Sequence, residues 1–133
     1  MHRRQFMTSA VALACLPQAS HAYSAEMFSP SLWRQLRKEP DVVVLNYRAS
    51  WSLTCQIKAD ILAKLIAADG GYAQIKFVEV DWDTFGPSVL TGRLGVKRHS
   101  TLLLMKRGSE ISRLENQPFE RKIKALLDQA LTA

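Results

Sequence analysis

VVVLNYRASWSLTC, Val42 to Cys55, is an unbroken run of β-branched and apolar residues that ends in a short polar turn holding Trp51, Ser52 and Cys55. A strand without polar alternation is covered on both faces, as the inner strands of a parallel sheet are. The turn therefore lies where a central strand hands over to a helix. From Cys55 to Ala68 the apolar residues Ile57, Ile61, Leu62, Leu65 and Ile66 recur at helical spacing, and Asp69-Gly70-Gly71 supplies the stop.

Upstream, SPSLWRQLRKE (29–39) predicts a short helix with Ser29 as N-cap, Pro30 in the first helical position and Leu32, Trp33 and Leu36 on one face, ending before Pro40. Downstream, AQIKFVEV (73–80) reads as a second strand, DWDTFGP (81–87) as a polar connection, and SVLTGRL (88–94) as a short helix closed by Gly95. Strand, helix, strand, helix implies parallel strands joined by right-handed crossovers. STLLLMK (100–106) and EISRL (110–114) flank Arg107-Gly108-Ser109, a hairpin signal, so an antiparallel pair ends the sheet. The last helix is PFERKIKALLDQAL (118–131), with Phe119, Ile123, Leu126 and Leu127 inward and Glu120, Arg121, Lys124 and Asp128 outward. The expected class is α/β, a three-layer sandwich with a central mixed β-sheet and helices on both faces.

The 133 residues, 47% hydrophobic and 23% charged, suit one globular domain. Residues 1–22 read as an export signal. MHRRQF is a basic start, MTSAVALACL an apolar stretch too short to span a bilayer, and ASHA ends in the small residues that cleavage after Ala22 needs. Arg3-Arg4 followed by Gln5 and Phe6 is similar to a twin-arginine signal, although Met7 and Thr8 depart from the usual continuation, so the route is either twin-arginine or Sec. A lipoprotein-type box at Cys15, ALAC, is the alternative and would tether the domain to a membrane. The expectation is thus an exported, periplasmic domain over residues 23–133. Loss of Arg3 and Arg4 takes the formal charge from +6 to +4, too little for a nucleic-acid footprint. It also leaves Cys55 as the single cysteine in a compartment where disulfides persist. An odd thiol there is buried, paired with another molecule, or reactive.

VVVLNYRASW, SLTC, EVDWD and LGVKRHSTLLLMKRGSEI, taken with the element order, resemble thioredoxin from about Pro30 to Leu131. The resemblance implies a thioredoxin fold and a role tied to thiol–disulfide chemistry, and it also shows where this chain departs. Thioredoxin-like enzymes carry Trp-Cys-x-x-Cys at this turn, because exchange passes through a mixed disulfide that a second thiolate resolves. The attacking position is Ser52, whose hydroxyl stays protonated unless an adjacent base takes its proton. The family's buried acid falls on Asn46, which cannot titrate, and its cis-proline falls on Ser100. A cis bond before a residue other than proline costs roughly 2.5–4 kcal/mol, so His99–Ser100 is expected to be trans.

These departures suggest a degenerate redox site acting as a binding or accessory component, with a monothiol oxidoreductase using Cys55 as the first alternative and a structural or lipid-anchored domain as the second. Cys55 matches the family's buried, resolving cysteine and reads as a packed thiol. Ser52 reads as a helix N-cap, and Trp51 and Tyr47 as rim and core aromatics. The loop of His99 is expected to face the Ser52–Cys55 turn. A nucleophile pair with either residue would need hydrogen-bond contact and a third group to orient the imidazole. One cysteine and one nearby histidine fall short of a zinc site, and nothing calls for a cofactor. Lys97 and Arg98, with Arg93 and Arg48, would steer an acidic segment of a protein or peptide partner into a groove beside Trp51 and His99.

Overall fold

The structure, a computed structural model, describes residues 21–133. Nearly all of the expected export segment, with Arg3, Arg4 and Cys15, lies outside the described residues. Strands β1 (Ala25–Met27), β2 (Val42–Arg48), β3 (Lys76–Asp81), β4 (Thr101–Lys106) and β5 (Ser109–Glu115) form one sheet in the order β1-β3-β2-β4-β5. The β1–β3 and β3–β2 pairs are parallel, whereas β2–β4 and β4–β5 are antiparallel. Helices α1 (Pro30–Leu36), α2 (Leu53–Ala68), α3 (Trp82–Phe85), α4 (Val89–Arg93) and α5 (Glu120–Thr132) cover its two faces. The expected three-layer α/β sandwich with a mixed sheet is what the chain forms.

Alternation along β2 divides the core. Val44 points into a cluster with Leu62, Ile66, Phe77, Ile123 and Leu127 beneath α2 and α5. Val43, Leu45 and Tyr47 point the other way, onto Trp33, Leu36 and Val96. Because β2 has sheet neighbours on both edges and helices on both faces, Val44 and Leu45 are fully buried, as a strand without polar alternation requires.

Several local expectations need correction. Helix α2 starts at Leu53, because Ser52 caps it through a hydroxyl that accepts from the Cys55 N–H. Residues Tyr72–Gln74 form a 3-10 turn, so β3 begins later than the apolar pattern suggests. The first part of the polar connection is α3, capped by the Asp81 carboxylate on the Thr84 N–H. Phe119 is 60% exposed, not inward, because it is the extended N-cap of α5 and lies off the helical face. On α2, Ile57 is exposed and Lys58 is buried, reversing the apolar and polar choice at those two positions. Strand β1 is an addition, held by its parallel register with β3.

Gly95 closes the loop after α4 at φ +66°, and Arg107 and Gly108, at φ +50° and +78°, make the tight β4–β5 turn. No cis peptide bond occurs among the described residues, so His99–Ser100 is trans as expected.

Candidate functional site

The turn after β2 brings Trp51, Ser52 and Cys55 to the carboxyl ends of the parallel strands. Cys55 is 1% exposed. Its N–H donates to Ser52 Oγ at 3.3 Å, and its own Sγ accepts the Ala49 N–H at 3.4 Å. The serine hydroxyl is therefore the helix cap, and the thiol is packed into the turn as a hydrogen-bond acceptor. Burial, the largest influence, pushes the Cys55 thiol up. The Ala49 N–H, the Ser52 hydroxyl, the Lys58 charge and Ser100 outweigh it and bring the thiol below its ordinary value.

Lys58 is the residue sequence reasoning passed over. It is 3% exposed, and its ammonium donates to the Tyr47 carbonyl at 2.9 Å. Burial pushes its pKa down to about 8, against the opposing pull of a Cys55 thiolate. The signal was present in the spacing. Lys58 lies three residues after Cys55 and four before Leu62, on the buried face of α2.

Asn46, standing between Glu79 of β3 and Leu102 of β4, donates to the Tyr23 hydroxyl at 3.1 Å. Its Oδ1 is buried with no hydrogen-bond partner among the described residues. Burial, only partly offset by the Asn46 hydrogen bond, pushes the Tyr23 phenol up to about 12, with the Glu79 carboxylate adding to the rise. Arg48 faces Glu79 at 3.4 Å. Charge and amide groups thus line the region under the start of α2, yet no carboxylate pairs with the Lys58 ammonium.

Ser100 holds to the end of β2 through its backbone, and its side chain acts on the Cys55 thiol. At φ +61° its N–H donates to the Tyr47 carbonyl at 3.1 Å, and its carbonyl accepts from the Asn116 N–H at 3.0 Å. His99 packs on Trp51 with ring centroids 4.8 Å apart and on Trp82 at 6.2 Å, both edge to face. It makes no side-chain hydrogen bond to Ser52 or Cys55 among the described residues, so neither nucleophile pair is assembled. Trp51 is 64% exposed and its indole N–H is shared by the two carboxylate oxygens of Asp83 at 3.0 and 3.2 Å. Lys97 and Arg98 are exposed beside His99, while Tyr47 is buried and hydrogen-bonded to Thr91 at 3.0 Å. Asp83 was not foreseen. It comes from α3, and only the packing of α3 beside the turn brings it to Trp51.

No group of three or more metal-ligating side chains converges among the described residues. The site can present an exposed indole and a half-buried imidazole to a partner, and it holds one buried thiol next to a buried cation.

No family model matches the chain, and no curated protein matches it. Solved structures do. Trxlp of Edwardsiella tarda is 22% identical, with 78% of this chain and 98% of that chain covered and a TM-score of 0.68. Thioredoxin of Malassezia sympodialis is 20% identical over 86% of this chain and 96% of its own, with a TM-score of 0.71. Thioredoxin NaTrxh of Nicotiana alata is 23% identical over 82% and 96%, with a TM-score of 0.62. At these identities the likeness is one of fold: the chain is folded like a thioredoxin.

Proposed function

We propose that the protein is an exported, periplasmic binding or accessory component of thiol–disulfide chemistry whose redox site is degenerate. The observation that supports this reading is Ser52, which occupies the attacking position and uses its oxygen as the cap of α2, 3.3 Å from the Cys55 nitrogen. A capped, protonated hydroxyl cannot form the mixed disulfide that dithiol exchange requires. The partner is a protein or peptide segment lying beside Trp51, His99 and Ser100, with Lys97 and Arg98 favouring acidic residues. Disulfide-reduction assays on residues 23–133 test the reading. The wild type is expected to be inactive and Ser52→Cys to gain turnover. Lys97→Glu combined with Arg98→Glu is expected to weaken crosslinking to the captured partner, and unchanged capture would remove the electrostatic element.

The monothiol alternative has one specific observation in its favour. The Ala49 N–H and the neighbouring Lys58 ammonium both favour a Cys55 thiolate. In that reaction the thiolate attacks a substrate disulfide, one half leaves as thiolate, and an external thiol resolves the mixed disulfide. The turn would have to open to expose Cys55. Wild-type turnover that Cys55→Ser abolishes would replace the binding reading with this one.

A further inference from the structure

Two adjoining concavities on the α1 side of the sheet are not used by the Trp51 site. One, about 340 Å³, runs between α1 and α4 and is walled by Phe28, Pro30, Trp33, Phe85, Val89 and Leu90. Phe28 and Phe85 meet there edge to face at 4.8 Å, and Val89 is 72% exposed at the rim. The other, about 310 Å³, lies at the carboxyl end of α1 and is lined by Arg34, Arg37, Lys38 and Arg107 alone. Arg34 lines both, so the apolar groove and the cationic cleft meet at one side chain of a short helix, about 10 Å long.

Basic side chains near a helix carboxyl end offset the helix dipole, which would account for Arg34 and Arg37 on their own. It does not account for Arg107, which the β4–β5 turn brings in from another element. The approach is close: a Cβ on Gly108 would come within 3.1 Å of Arg37 Cγ. Nor does it account for the missing counter-charge. None of the four cations makes an ion pair or a side-chain hydrogen bond among the described residues. Glu39, the acid next to them in sequence, is turned away to Gln35 at 3.0 Å and Lys76 at 3.1 Å.

We propose that the joined concavities bind one anionic amphiphile, a single alkyl chain carrying a phosphate group. The phosphate lies among Arg34, Arg37, Lys38 and Arg107, where guanidinium forks match its oxygens. The chain lies over Trp33 between α1 and α4. A free alkyl phosphate presents this chemistry, and so does the phosphate of a membrane phospholipid together with one of its two acyl chains.

The test is titration of the full-length protein with decyl phosphate below its micellar concentration, followed by calorimetry and by tryptophan emission, with Trp33→Phe identifying the reporting indole. Arg37→Glu combined with Lys38→Glu is expected to weaken binding at least tenfold, and so is Val89→Asp. Inorganic phosphate and neutral decyl maltoside are each expected to bind at least tenfold more weakly than decyl phosphate. Arg37, Lys38 and Val89 are exposed, and unchanged far-ultraviolet circular dichroism shows that the variants, Trp33→Phe included, fold. Sedimentation with phosphatidylglycerol vesicles identifies the source: decyl phosphate displaces the protein if one site serves both. Vesicle binding that decyl phosphate does not displace overturns the proposal. Equal affinity for either control ligand does so too, as does insensitivity to the substitutions or a ligand-free dimer that Val89→Asp abolishes.

Discussion

Lys58→Met removes an ammonium that the core of α2 holds with a single partner, the Tyr47 carbonyl at 2.9 Å. Burial lowers the lysine from 10.5 to about 8. In the unfolded chain it keeps its ordinary value, so between pH 8 and 10.5 the unfolded state binds more protons and stability rises with pH. Below about 8 both states are charged and the penalty is at its fullest; above 10.5 both are neutral and it is gone. The drop corresponds to about 3 kcal/mol against the charged form. Methionine loses one hydrogen bond from a charged donor, a cost of about 2 kcal/mol, but orphans nothing, because the Tyr47 carbonyl still accepts from Ser100 at 3.1 Å. The variant is therefore expected to be about 1 kcal/mol more stable than wild type at pH 7, and its advantage to vanish by about pH 9. Urea unfolding at a series of pH values reads both quantities. A Cys55 thiolate favours the ammonium, so in a Cys55→Ala background the rise in stability from Lys58 is expected to begin at lower pH, with its slope still limited to one proton. A variant less stable than wild type at pH 7, with a difference that does not move with pH, would refute the reasoning.

Ser52→Ala removes the cap of α2 and is expected to cost about 1 kcal/mol in urea unfolding. Ser100→Pro puts back the residue that the thioredoxin resemblance places there. Proline cannot adopt φ +61° or donate to Tyr47, so a loss of about 3 kcal/mol is expected in the same assay. Alkylation of Cys55 by iodoacetamide under native conditions is expected to be slower than that of a free cysteine by on the order of a hundredfold and to accelerate with urea, because it waits on local opening. Fast native labelling would contradict the burial and favour the monothiol reaction.

The sheet was legible because burial on both faces leaves its mark residue by residue, as in Val42 to Tyr47 and Leu102 to Met105. The turn chemistry was legible for a similar reason: Ser52 as a cap and Gly108 in a hairpin depend only on chain neighbours. Strand β1 was not, since three residues with one half-buried position carry no period, and register with β3 alone makes them a strand. Trp51 was readable as a rim aromatic, but not its bond to Asp83, which spans 32 positions in sequence.

The layers of the fold and the residues of the turn, a hydroxyl at Ser52, a thiol at Cys55 and an amide at Asn46, can be read along the chain, because residue identity and short-range spacing carry them. It took the packing of the elements to show that Lys58 is buried beside Cys55, that His99 meets Trp51 edge to face instead of bonding Ser52, and that Arg107 joins Arg34, Arg37 and Lys38. Desolvation and charge proximity depend on distances between elements, and packing across the sheet sets those distances.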